Sequence, residues 1–196
     1  MARPKAQIPG ETVTQIIDCA EDLICHRGYN GFSYRDIAEH VGIRTASIHY
    51  HFPTKGDLAA QVAKRYGERF NVILQSIADR DPNPVTRLEA YAGLFRTALA
   101  EHDRMCLCGM LGAESATLPE PVRLEVESFF QLNRDWLETV IADGEREGKL
   151  SLRAPAPTQA HLLLAAMEGG MMLARNKNDT ALFDMIAHAA IEPLAA

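Results

Sequence analysis

Apolar residues return every three or four positions along most of the chain, and clusters of proline, glycine and aspartate separate the runs. That is the period of a helix with one buried face. Val13, Ile16, Ile17, Ala20, Leu23 and Ile24 predict a first helix over 12–27, closed by Gly28. A long helix begins at Lys55, with Leu58, Val62, Tyr66, Phe70, Ile73 and Ile77 along one side, and Asp81-Pro82-Asn83-Pro84 breaks it. Further helices are expected over 84–102, 104–116, 119–147, 158–176 and 179–194, with only 149–152 reading as extended. The pattern predicts an all-α chain: an N-terminal three-helix helix-turn-helix head over 1–56, joined by a long helix to a larger C-terminal helical body over 57–196.

Between the first helix and the long one the pattern changes. Ser33 is a good N-cap with Asp36 in capping-box register, and Ile37, Ala38 and Val41 give one short apolar face. Gly42 stands where a sharp turn needs positive φ. The next element, 44–50, is small and polar at Thr45, Ala46 and Ser47, and Ile48 is its one aliphatic anchor. A helix with so little to bury suits a groove better than a core. Pro53 ends it, and Thr54 caps the following helix with Asp57 at the matching position.

These residues resemble the N-terminal domain of TetR-family transcriptional regulators. The match runs through Arg35-Asp36-Ile37-Ala38, Val41-Gly42, Ala46-Ser47-Ile48, Tyr50-His51-Phe52, and Lys55 with Leu58. It departs at His49, where the family usually carries Tyr or Phe. The resemblance implies that the element Arg44 to Tyr50 is a recognition helix, with Thr45, Ala46, Ser47 and His49 facing base edges. Ser33, Tyr34, Tyr50 and Lys55 would hold phosphates, which fix register while short polar side chains read bases. His49 and His51 form an H-x-H, but one helix does not aim both rings at one ion. No metal or cofactor is expected.

In the body, 160–174 is apolar on nearly every side and so predicts burial on nearly every side. Gly169 and Gly170 allow another backbone to approach. With Leu182, Phe183, Ile186, Ala189 and Ala190 of the last helix, this segment is a candidate homodimer interface. The resemblance implies the same, with two recognition helices about one DNA turn apart on a near-palindromic operator. Glu168 sits in the middle of the apolar run, where a carboxylate must be paired, hydrogen-bonded or protonated. Met167, Met171 and Met172 flank it. Candidate ligand-lining residues are Tyr91, Phe95, Cys106, Met110, Trp136, Met167, Glu168 and Met171.

The segment 104–118 is rich in glycine and small residues and predicts a bent or loosened helix. Its pattern resembles the sensor region of electrophile- and acrylate-responsive members of the family, which have a cysteine where Cys106 falls. Arg104 close by would favour thiolate, the nucleophilic form. Simple packing of Cys106 and Cys108 beneath the following helix is the other reading. Cys19 and Cys25 read as small core residues.

Composition alters the picture only slightly. The chain of 196 residues is 47% hydrophobic and 23% charged, with no run approaching a membrane span and no signal-peptide pattern in 1–10, so a cytoplasmic protein is expected. The net charge of −6 seems unfavourable for nucleic acid. However, residues 1–70 carry 9 Lys/Arg against 8 Asp/Glu, so the acidic excess lies entirely beyond the head. Arg3 and Lys5 would form a short basic arm. The function expected is a small-molecule-responsive DNA-binding regulator, a homodimeric repressor and not an enzyme. A helical thiol enzyme using Cys106 with His102 or His161, and a helical interaction module, are the rivals.

Overall fold

The computed structural model describes residues 9–196. The basic arm expected at Arg3 and Lys5 lies outside the described residues. Within them the chain folds as nine α-helices: α1 (Pro9–Arg27), α2 (Tyr34–Val41), α3 (Thr45–His51), α4 (Lys55–Arg80), α5 (Pro84–His102), α6 (Leu107–Ala113), α7 (Glu120–Arg146), α8 (Ala156–Lys177) and α9 (Thr180–Ile191). One antiparallel bridge, Leu150 to Ala195, ties the α7–α8 connection to the C-terminal end, where the pattern reads as extended.

The helix borders follow from local chemistry. Helix α1 begins at Pro9, four residues before its apolar stripe, because proline at a helix start is pre-set in φ and lacks an N–H that would be orphaned there. Both predicted capping boxes form. Asp36 Oδ2 accepts the Ser33 N–H at 2.8 Å, and Asp57 Oδ2 accepts the Thr54 N–H at 2.9 Å while the Asp57 N–H donates to Thr54 Oγ1 at 3.1 Å. Gly42 closes α2 with φ of 77°. Asn83 Oδ1 accepts the Val85 N–H at 2.9 Å at the start of α5. The segment 104–118 does not form the single helix expected. It is helical only over Leu107–Ala113 and then tightens into a 3₁₀ turn over Ser115–Thr117, as its glycines and small residues foreshadow.

The head packs α2 and α3 against α1 and the first turns of α4, burying Ile16, Ala20, Ile24, Ile37, Ile48, Leu58 and Val62. Helix α4 then runs into the body and lies along α7, where Phe70 meets Phe129 edge-on at 5.1 Å between centroids. Helices α8 and α9 pack side by side. Gly170 makes that approach possible: a Cβ there would sit 3.2 Å from the Phe183 ring and 3.4 Å from Ile186. Helix α8 corrects the expectation of burial on nearly every side. Ala160, Leu163, Met167, Met171 and Ala174 are buried, while Leu162, Met172 and Leu173 are each 56% exposed.

Candidate nucleic-acid interface and sensor core

Helix α3 has one buried residue, Ile48, which anchors it to the head. Arg44, Thr45, Ala46, Ser47, His49 and Tyr50 are all exposed, and Tyr50 reaches 83%. This two-turn helix thus offers solvent an aromatic ring and a row of hydroxyl and methyl groups. His49 packs its ring edge-on against Tyr34 at 4.7 Å, and its Nδ1 stands 3.3 Å from the Pro53 carbonyl.

The predicted phosphate-contacting residues are placed differently from one another. Ser33 is exposed at the N-terminus of α2. Tyr34 is buried: its single hydroxyl proton is shared between the Thr54 carbonyl at 2.6 Å and the Phe52 carbonyl at 2.9 Å, pinning the α3–α4 turn. Lys55 is half-buried, with its ammonium donating to the Phe32 carbonyl beneath the rings of Phe32 and Tyr29, 4.2 and 4.6 Å from their centroids. Partial burial pulls the Lys55 ammonium below its usual range. Both side chains hold the frame that presents α3.

Two links couple this head to the body, and sequence reasoning missed both. In the first, Glu21 of α1 is only 7% exposed and receives guanidinium groups from Arg69 at 2.6 Å, Arg65 at 3.1 Å and Arg104 at 3.6 Å. Arg65 also reaches Asp18 at 2.6 Å, and Arg104 lies 3.6 Å from Asp22. In the second, Glu114, at the end of α6, accepts the backbone N–H groups of Tyr29 and Asn30. Gly28, with φ of 77°, makes room for it, since a Cβ there would stand 2.9 Å from Glu114 Oε1. The partners in these links are 44 to 85 residues apart. The one signal open to sequence reading was Glu21, an acidic residue on the apolar side of α1, next to Ala20 and Ile24.

Of the predicted ligand-lining residues, Tyr91, Phe95 and Trp136 form one aromatic cluster, while Phe95, Cys106 and Met171 line one small cavity. Tyr91 stacks on Trp136 at 5.6 Å and lies 5.2 Å from Phe95. Phe95 in turn lies 6.2 Å from Phe70. Tyr66, Phe70 and Phe129, absent from the predicted set, complete the cluster. The Tyr91 hydroxyl donates to Asn133 Oδ1 at 2.9 Å, and Asn133 Nδ2 donates to the Phe129 carbonyl, so a buried amide is satisfied on both sides. Met167 and Met171 are fully buried and Met110 is half-buried, whereas Met172 points away to solvent.

Cys106 caps α6 with its sulfur, accepting the Gly109 N–H at 3.4 Å. It is 2% exposed, and burial pushes its thiol far above the ordinary value, with the nearby Glu168 adding to the effect. The expectation that Arg104 would favour thiolate is therefore corrected: the Arg104 guanidinium turns to Glu21 and Asp22, and the sulfur is left in a dry, anion-facing site. His161, named for a thiol enzyme, is exposed on α8 with Nδ1 2.7 Å from the Pro157 carbonyl.

A head that offers one short helix to solvent, bolted to a helical body with an aromatic centre, defines a helix-turn-helix regulator. Residues 16–62 match the family described as bacterial regulatory proteins, tetR family, and residues 84–190 match the tetracyclin repressor-like C-terminal domain. The chain belongs to the TetR family of transcriptional regulators. It is similar to a TetR-family transcriptional regulator of known structure from Agrobacterium tumefaciens, with 36% identity, 96% of this chain and 100% of that one covered, and a TM-score of 0.94. It is also similar to the probable HTH-type transcriptional regulator YttP of Bacillus subtilis (strain 168), 24% identical over 74% of this chain and 70% of that protein. A 60-residue stretch is similar to the biofilm operon negative transcriptional regulator IcaR of Staphylococcus aureus (strain Newman), 38% identical over 31% of this chain and 32% of that protein. Among the described residues no helix is long and apolar enough to cross a membrane.

Proposed function

We propose that the protein is a cytoplasmic homodimeric repressor, released from a near-palindromic operator when a small molecule enters the body. The observation that carries the reading is α3: six consecutive or near-consecutive exposed residues, Arg44 to Ser47 with His49 and Tyr50, on a helix anchored by Ile48 alone. In this reading Thr45, Ala46, Ser47 and His49 read base edges. Arg44, Tyr50 and the Ser33 end of α2 hold phosphates, with Tyr34 and Lys55 keeping the frame rigid behind them. The similarity of part of the chain to a negative regulator favours repression over activation.

The second copy is assigned to α8 and α9. Leu162, Met172, Leu173 and Met185 are 56 to 61% exposed on these two helices, and a like surface on a partner copy covers them with matching apolar groups. Release requires that the inducer bind the DNA-incompetent arrangement better than the competent one. The Glu21 and Glu114 links give the body a rigid grip on α1, so a shift of α4 or α6 is passed to the head.

Fluorescence anisotropy with the protein's own upstream intergenic DNA, against scrambled DNA at two salt concentrations, tests the reading. Selective binding that weakens steeply with salt is expected. Equal weak binding to both DNAs, together with no selective binding in a genome-wide pull-down of DNA fragments, would overturn it.

A further inference from the structure

We propose that the ligand of the body is an organic cation, its ammonium seated against Glu168 and its apolar part held by the aromatic rings of α4 and α5. This rests on the reading of the body as a ligand sensor.

Three buried side-chain polar atoms lack a hydrogen-bond partner among the described residues: Arg65 Nε, Arg104 Nε and Glu168 Oε1. The two arginines have their charge answered by carboxylates through neighbouring contacts. Glu168 has no such answer. Its Oε1 is sealed from solvent, and Oε2 fills the space beside Gly109, where a Cβ would stand 2.2 Å away. The chain has thus kept a glycine where the carboxylate must fit. The one group that hydrogen-bonds it is the Cys106 thiol. The titratable groups it acts on are Tyr66 from α4, Tyr91 from α5, and Cys106 and Cys108 from the α6 region, and burial holds all four neutral. An acidic group enclosed by neutral, weakly polar neighbours is a binding site for positive charge.

The surroundings specify the rest of the ligand. Beside Cys106 lies a small cavity of about 10 Å³, lined by Tyr66, Phe70, Phe95, Met171 and their neighbours. Met171 stands three residues beyond Glu168, on the same side of α8. Tyr66, Phe70 and Phe95 present their rings to this space, and such rings attract cations as well as apolar groups. The cavity holds about one water molecule, so a ligand has to widen it. Met167 and Met171 give way most easily. The rigid walls are Tyr66 on α4 and Cys106 at the cap of α6. Two residues before Cys106, Arg104 meets Glu21, and one residue before it the Met105 N–H donates to the Cys25 carbonyl of α1 at 3.3 Å. Widening the space presses on the clamp that holds the head.

Three near-isosteric probes separate charge from shape: phenethylamine, phenethyl alcohol and phenylacetate. Binding is read by calorimetry in two buffers of different ionisation enthalpy, and by the fluorescence of Trp136, the one tryptophan, which stacks on Tyr91. Phenethylamine is expected to bind roughly tenfold or more tightly than the other two. Because Glu168 titrates at about 7, its pairing with an ammonium at neutral pH should release about half a proton per amine bound. Preference and proton release both vanish in Glu168→Gln. Gly109→Ala, which displaces Oε2, repeats the test should the first variant fail to fold. The proposal is overturned if the alcohol or the carboxylate binds as well as the amine, if the preference survives in the folded variants, or if none of the three binds. Operator binding by the same preparation keeps the two readings apart: selective DNA binding with no amine preference removes the cation and leaves the regulator, while amine binding without operator binding does the reverse.

Discussion

Glu21→Gln removes one charge from the head–body junction while conserving volume, so its effect isolates the electrostatic clamp. Breaking a fully buried ion pair by deleting one partner costs about 3–5 kcal/mol. Here the carboxylate is 7% exposed but the arginines are 21, 26 and 49% exposed, so water recovers part of the loss. Arg65 keeps Asp18 and Arg104 keeps Asp22. A loss of about 2–3 kcal/mol follows, and for a chain of this length that lowers the melting temperature by roughly 4–12 °C. Urea and thermal unfolding, followed by far-ultraviolet circular dichroism at one protein concentration, give the number. Asp18→Asn is the control, because Asp18 is 60% exposed and its pair should contribute less than about 0.5 kcal/mol. If Glu21→Gln melts within the error of the parent, or no lower than Asp18→Asn, the clamp is ornamental and the account of head–body coupling falls with it.

Tyr50→Ala should leave the melting temperature unchanged, since the ring is 83% exposed, while weakening operator affinity roughly fivefold or more; unchanged affinity in the anisotropy titration would remove Tyr50 from the interface. Glu168 keeps its proton up to about 7 in the folded chain, against 4.5 ordinarily, so it favours folding at low pH and loses that advantage as pH rises through this window. The gap corresponds to about 3 kcal/mol, and the stability difference between wild type and Glu168→Gln, measured by urea unfolding from pH 5 to 8, should shrink or invert accordingly. A pH-independent difference refutes the burial of the carboxylate. Cys106, dry and neutral, should react with iodoacetamide at pH 7 at least roughly a hundredfold more slowly than a free thiol, followed by peptide mass spectrometry. Labelling at the free-thiol rate would restore the reactive-cysteine reading.

Local chemistry made the head legible. Ser33 with Asp36, Gly42, Pro53, and Thr54 with Asp57 are start and stop signals whose partners lie within four residues, so the two short helices α2 and α3 and the start of α4 follow from spacing alone. The polarity of 44–47 likewise pointed to an outward face. What spacing could not supply was direction. Tyr34 and Lys55 look like surface polar residues in a one-dimensional reading, yet both turn inward to backbone carbonyls that only the fold brings near. The body shows the same limit. Tyr91, Phe95 and Trp136 stand out in the body, but Tyr66 and Phe70 read as ordinary stripe residues, and Phe129 joins them only because α7 lies along α4. The Arg104–Cys106 pairing failed for the related reason that a guanidinium goes to the nearest carboxylate, and that carboxylate sits 83 residues earlier in sequence, on α1.

Glu114 has a consequence for anyone recombining such regulators. It belongs by sequence to the body, yet its carboxylate terminates the first helix of the head by taking the amides of Tyr29 and Asn30, and it fits because position 28 is glycine. A chimera spliced within α4 would exchange 28–30 and leave Glu114 behind, facing a foreign turn. Residues 28–30 and 114 therefore travel as a matched set, and the specificity of the head is transplantable only together with this one distant side chain.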